Sequence, residues 1–183
     1  KMLPIIKKQK DNFANKLAKL ALLTANSNKD RHNAIQNFFL INDSTTIATE
    51  VPVYLTNDDI NYYKKRGFEI NLGPDAAVAK NNDSNNKEDK NINAASELGQ
   101  NYETPITGHI DLLQIRNGLI YILDYKPDAH LKQIQQQAIQ QLTIYALALA
   151  SRTKLDLASF KCAWFDENNY FEFFPLHAVY EKK

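Results

Sequence analysis

Asp111 and Asp124 sit in two β-type runs joined by Asn117-Gly118, and this spacing is enough to bring them together. Asn-Gly between apolar runs favours a two-residue type I′ turn, because both turn positions need positive φ. With Arg116 opposite Leu119, the other pairs follow: Asp111 faces Asp124, and His109 faces Lys126. Side chains alternate along a strand, so all four share one face at one end of the hairpin. Directly opposed carboxylates destabilise a sheet. Two arrangements relieve that repulsion. The acids are solvated, with Lys126 neutralising one of them, or they share a divalent cation with the lysine beside it. In the second arrangement the carboxylates and the Tyr125 carbonyl are hard oxygen ligands that suit Mg²⁺ or Mn²⁺. Such an ion polarises a phosphodiester and lowers the pKa of a bound water. Lys126 could orient that water or stabilise charge building on the phosphorane.

The elements that must carry these residues can be read from apolar spacing. Asp11 to Ala25 has helical periodicity through Phe13, Leu17, Leu20, Ala21 and Thr24. A second helix is expected from Ser27 or Asp30, burying Ile35, Phe38 and Phe39. Thr46 to Leu55 is rich in β-branched residues and predicts a strand, and Asp58 to Gly67 a short helix. After the hairpin, Asp128 to Ala150 predicts a long helix with Leu131, Ile134, Ala138, Leu142, Tyr145 and Leu149 on one side. Phe160–Phe165 and Tyr170–Phe174 predict a second hairpin turning at Asp166–Asn169. This order implies an α/β (mixed α+β) fold in which helices flank a central mixed β-sheet. The polar, Asn-rich stretch at about 80–101 cannot bury a core and is expected to be a mobile loop inserted into one domain.

Composition narrows the chemistry. The chain has 183 residues and a net charge of +1, which suits one domain and gives no global case for a polyanion partner. Charge is uneven, however: Lys1, Lys7, Lys8, Lys10, Lys16, Lys19, Lys29 and Arg31 face only Asp11 and Asp30 in the first part of the chain. That basic stretch is either a phosphate-attracting surface or the solvated side of a helix. Cys162 is the only cysteine, which excludes an internal disulfide and a thiolate-ligated zinc or iron–sulfur cluster built from this chain alone. No apolar run is long enough to span a bilayer, and the expectation is a cytoplasmic, nucleoid-associated protein with no membrane partner. The first residue is lysine, and the chain is expected to be part of a larger protein or complex.

Gly108-His-Ile-Asp111 followed by Ile122-Leu-Asp-Tyr-Lys126 resembles the bipartite signature of the PD-(D/E)XK nuclease superfamily. Gln141-Leu-Thr-Ile-Tyr145 is similar to the Q-x-x-x-Y element of the RecB-like branch. The resemblance implies a restriction-endonuclease-like core within a single nuclease-like domain over 1–183, with a basic helical N-terminal part at about 1–42. It implies a Mg²⁺- or Mn²⁺-dependent deoxyribonuclease, acting on single-stranded DNA or duplex ends. Asp111 and Asp124 would be catalytic metal ligands, Lys126 the catalytic lysine and Tyr125 a carbonyl ligand. Gln141 and Tyr145 would contact nucleic acid or buttress the site, His32 would add a ligand from an upstream helix, and Glu50 is similar to an upstream catalytic glutamate. His109 would stand behind the ligands. The proline-aspartate of the family's name is absent here, replaced by Gly-His-Ile-Asp, and no Walker-type phosphate loop exists in the chain. The alternative function is a non-catalytic nucleic-acid- or protein-binding module on the same scaffold.

Overall fold

Asn117 and Gly118 both take positive φ, +50° and +75°, and Arg116 pairs with Leu119 across them. The type I′ turn therefore forms where Asn-Gly predicts it and fixes the register of the hairpin. The computed structural model describes residues 5–7, 12–25, 27, 30–70 and 105–179. The Asn-rich stretch at 80–101 and much of the basic N-terminal stretch lie outside the described residues.

In chain order the elements are β1 (Ile6–Lys7), α1 (Phe13–Leu22), α2 (Arg31–Asn42), β2 (Thr46–Leu55), α3 (Asn57–Lys65), β3 (Ile106–Arg116), β4 (Leu119–Tyr125), α4 (Lys132–Thr153), a 3₁₀ turn (Leu157–Ser159), β5 (Phe160–Phe165), β6 (Tyr170–Phe173) and α5 (Pro175–Val179). The strands form one six-stranded sheet in the order β1-β6-β5-β4-β3-β2. β4 and β5 are parallel, while the other neighbouring strands pair antiparallel. The long α4 helix supplies the crossover that a parallel pair requires. This is the mixed sheet flanked by helices that the order of predicted elements implies.

Alternation along the strands sends two apolar sets to opposite faces. Ile110, Ile122, Cys162 and Trp164 pack with α3, α4 and α5, and Leu112, Leu123, Tyr125 and Phe165 pack with α1 and α2. β2 lies at the edge, where Pro52 lacks an N–H without breaking a central ladder. Among the described residues no helix is long and apolar enough to cross a membrane.

Two expected helical stripes are corrected. α1 buries Ala14, Asn15, Leu17, Ala18 and Ala21, whereas Phe13 and Leu20 are 57% and 50% exposed. Small side chains form the face that packs closely, so the large apolar residues are a poor guide to its direction. α4 begins at Lys132, not at Asp128, and Leu131 at its N-cap is exposed. Asp128 has φ +59°, and the Asp166 carboxylate accepts the Ala129 N–H at 2.9 Å, so the residues after β4 are held as a separate loop. The second hairpin turns as expected, with Phe165 paired to Tyr170. β1 and α5 have no counterpart among the predicted elements: one is two residues long, the other five.

Candidate active site

The register set by the turn persists through Leu112↔Leu123, and the paired ladder ends there. Beyond it, β3 continues along β2 as far as Ile106, while β4 continues along β5 as far as Tyr125↔Phe165. The two strands part where the sequence brings its acids together. Ile110 belongs to the core on the α4 side and Leu112 to the core on the α1–α2 side. Residues two apart on a regular strand share a face, so the strand is irregular at Asp111. The Asp111 carboxylate enters the opening: its Oδ2 accepts the Tyr125 backbone N–H at 3.0 Å. A continuous ladder would give that N–H to a carbonyl of β3.

Asp111 and Asp124 are within hydrogen-bonding reach of one another across the opening. The Asp124 carboxyl is pushed up to about 7, chiefly by burial and next by the charge of Asp111, against the pull of Lys126. For Asp111 burial alone would raise the value. The hydrogen bonds from His32 and Tyr125 and the one shared with Asp124 outweigh it and hold this carboxyl below the usual range. Lys126 Nζ lies 2.8 Å from Asp124 Oδ2, off the angle of a directed hydrogen bond, so that buried oxygen has an ion pair and no hydrogen bond. Burial disfavours the ammonium, but Asp124 and then Asp111 outweigh it, and Lys126 stays above the ordinary lysine value.

α2 brings His32 over the opening. Its Nδ1 is 3.3 Å from Asp111 Oδ2, and its ring meets the edge of Tyr125 at 5.3 Å between centroids. The bond to Asp111 raises the His32 pKa, partly opposed by burial. Gln36, one turn further along α2, donates from Nε2 to Glu50 Oε1 and lies 3.4 Å from Asp111 Oδ1. Glu50 stands across from Asp111 on the other side of β3, between the pairs Thr49↔Leu112 and Val51↔Ile110. Its φ of +52° is costly for a residue with a Cβ, and it breaks the alternation of β2 at this point.

On the opposite side, Gln141 Nε2 donates to Tyr145 Oη at 2.9 Å, and the His109 backbone N–H also bonds that oxygen. The Tyr145 ring lies over Gly108: a Cβ there would come within 2.6 Å of Tyr145 Cζ. Glycine in Gly-His-Ile-Asp is thus the residue that lets α4 approach β3 at the site. The predicted residues consequently separate into groups. Asp111, Asp124, Lys126, His32 and Tyr145 converge, Glu50 reaches them through Gln36, and Gln141 through Tyr145. His109 contributes its backbone, and its side chain is exposed, not paired across the hairpin from Lys126. Tyr125 contributes its N–H to Asp111, and its ring is buried on the α2 side.

Two contributors escape sequence reasoning. Gln36 carried one signal, its place four residues after His32 on the same helical face. Asp166 carried none beyond marking a turn. Yet its carboxylate holds the loop after Lys126 through Ala129, and Trp164 Nε1 bonds the Ala129 carbonyl at 3.1 Å.

The donor set can be tested against a divalent cation on these contacts. Two carboxylates in each other's field, one with a buried oxygen lacking a directed hydrogen bond, suit a hard ion. Among the described residues no three His, Cys, Asp or Glu side chains form a closed metal-binding group. The fit is therefore to an ion such as Mg²⁺, which takes one or two carboxylates and keeps its waters. Cys162 is fully buried in the core, away from these groups.

No curated protein and no solved structure matches the chain. A model of the PD-(D/E)XK nuclease superfamily matches residues 47–170. The matched stretch runs from β2 to the first residue of β6, so it includes both aspartates, Lys126, Glu50 and Tyr145, and excludes His32 and Gln36. With about two thirds of its length in that match, the chain belongs to the PD-(D/E)XK nuclease superfamily.

Proposed function

We propose that the protein is a deoxyribonuclease of the RecB-like branch, cleaving phosphodiester bonds at ends or on single strands with Mg²⁺ or Mn²⁺. The observation that carries this is the convergence of Asp111, Asp124 and Lys126 where β3 and β4 separate. Asp111 and Asp124 would hold the ion. When bound, a divalent ion supplies Lewis acidity toward a phosphoryl oxygen and an acidified water.

The chain's own groups do the rest. Asp124 and Asp111 outweigh burial and hold Lys126 above the ordinary lysine value, and its proposed part is to orient the attacking water or to stabilise negative charge on the phosphoryl group. Asp124, held near 7 in the bare protein, must surrender its proton before it can act as a ligand. His32 and Glu50, for which the resemblance implies ligand and catalytic roles, meet the site at Asp111 and Gln36. Tyr145 and Gln141 form the α4 wall of the opening and are the residues proposed to meet nucleic acid, and His109 supports Tyr145 through its backbone.

End-labelled single- and double-stranded DNA, incubated with Mn²⁺, Mg²⁺ or EDTA, tests this. Metal-dependent products are expected from the parent, and Asp124→Ala and Lys126→Ala should each lose about a hundredfold or more in rate. A folded parent that cuts nothing with either ion would sink the nuclease reading in favour of a non-catalytic binding module.

A further inference from the structure

Gln36 is 4% exposed and occupies the gap between two acidic side chains that come from different strands. A carboxamide presents two N–H donors on one nitrogen, and carboxylates only accept. Nε2 must therefore face both acids, and its two donors match Glu50 Oε1 and Asp111 Oδ1. Asp111 Oδ2 is already engaged by His32 Nδ1 and the Tyr125 N–H. At Oδ1 the Gln36 contact is 3.4 Å, longer than either of those at Oδ2. Glu50 accepts from the same amide and holds its orientation, and the strained backbone at φ +52° places Glu50 there.

We propose that Gln36 is a positioning residue: Glu50 fixes its amide, and the amide fixes Asp111 so that Oδ1 is presented to a divalent cation. The proposal rests on the nuclease reading above. It assigns Glu50 a role as hydrogen-bond acceptor, one step removed from the ion. Groups that orient a metal-ligating carboxylate typically matter about 10- to 100-fold in metal affinity or activity.

Calorimetric titration of Mn²⁺ into the whole chain, alongside cleavage rate against Mn²⁺ concentration, tests the assignment. Gln36→Leu should weaken Mn²⁺ binding about tenfold or more, while the cleavage rate at saturating Mn²⁺ stays within a few-fold of the parent. Glu50→Ala should weaken it similarly, Glu50→Gln should restore near-parental affinity because an amide oxygen still accepts from Gln36, and the double variant Gln36→Leu/Glu50→Ala should bind no worse than Gln36→Leu. Unchanged Mn²⁺ affinity in Gln36→Leu overturns the role of Gln36. Loss in Glu50→Gln as deep as in Glu50→Ala, or losses that add in the double variant, would make Glu50 an independent ligand and also overturn it. Should Gln36→Leu not fold, the two exposed-site Glu50 variants decide the matter by the same comparison. A parent that neither binds Mn²⁺ nor cleaves overturns the nuclease reading itself, a result separable from all of these.

Discussion

A carboxyl held near 7 changes what proton uptake does to this protein. Asp124 has an ordinary value of 3.8, so between that and about 7 the native state keeps a proton that the unfolded chain has lost. Native excess of bound protons means that stability falls as pH rises through this window and stays at the lower level above it. His32 acts in the same sense: its raised value gives stability that is complete below 6.5 and lost as pH rises through the folded value. Asp111, with a lowered value, contributes stability that disappears only in acid, below 3.8. In EDTA the melting midpoint is therefore expected to be higher at about pH 5.5 than at about pH 8, and Asp124→Asn should flatten most of that difference. A parent midpoint that climbs with pH over this range would contradict a native state in which burial and the Asp111 charge outweigh the pull of Lys126 on Asp124. Mn²⁺ should raise the midpoint more at the alkaline end, because cation and proton compete for the same oxygens. That the two acids and the lysine lie near one another was legible in the sequence, because the turn fixes the register of the hairpin up to the pair just before them. Gln36 was not, since its partners are 14 and 75 residues away and depend on how α2 lies across two strands.

At the scale of elements, the close approach of α4 to β3 is the constraint with a measurable cost. Gly108 has no room for a Cβ under the Tyr145 ring. Gly108→Ala should destabilise the protein by about 1–3 kcal/mol through overpacking, and in a Tyr145→Ala background the same change should cost much less. Urea melts of the four proteins in that cycle give the coupling, and additive losses would mean that the ring yields freely. Cleavage should fall in Gly108→Ala beyond what stability explains, because Tyr145 is an electrostatic neighbour of Asp124 and Lys126. Strands and long helices were readable from periodicity, and helix faces less so. α1 shows why: apart from Leu17 its buried side is alanine and asparagine, residues whose side chains carry little hydrophobic signal. The start of α4 is not legible locally, because the loop before it is set by Asp166, nearly forty residues away.

For the molecule as a whole, the two cores are joined through polar contacts that span the chain. Asn15 on α1 donates from Nδ2 to the Asp166 carbonyl at 2.7 Å and to the Asn169 carbonyl at 3.1 Å. Asp166 in turn accepts from Ala129 beside the site. We propose that the described residues unfold as a single domain. Fluorescence of Trp164, the only tryptophan, and far-UV circular dichroism should give coincident urea transitions. Asn15→Ala should shift both together by about 1–3 kcal/mol, since the buried bond to the Asp166 carbonyl is lost and the Asn169 carbonyl keeps only the Asp166 N–H. A separate early transition in circular dichroism would assign the N-terminal helices to a unit of their own. The mixed sheet was legible from the order of elements. The parting of β3 and β4 at Asp111 was not, because alternation assumes a continuous ladder.

The Asp166 clamp also sets a time of onset. A chain emerging from synthesis carries Asp111, Asp124 and Lys126 well before residues 160–170 exist to pair with β4 or to hold Ala129. Domains form progressively as the chain is made, so a partly made copy has the acids and the lysine in its sequence without the strand and carboxylate that hold them in place. The proposed site is then held in place only once residues 160–170 have been made, so order at Asp111, Asp124 and Lys126 is a late product of synthesis.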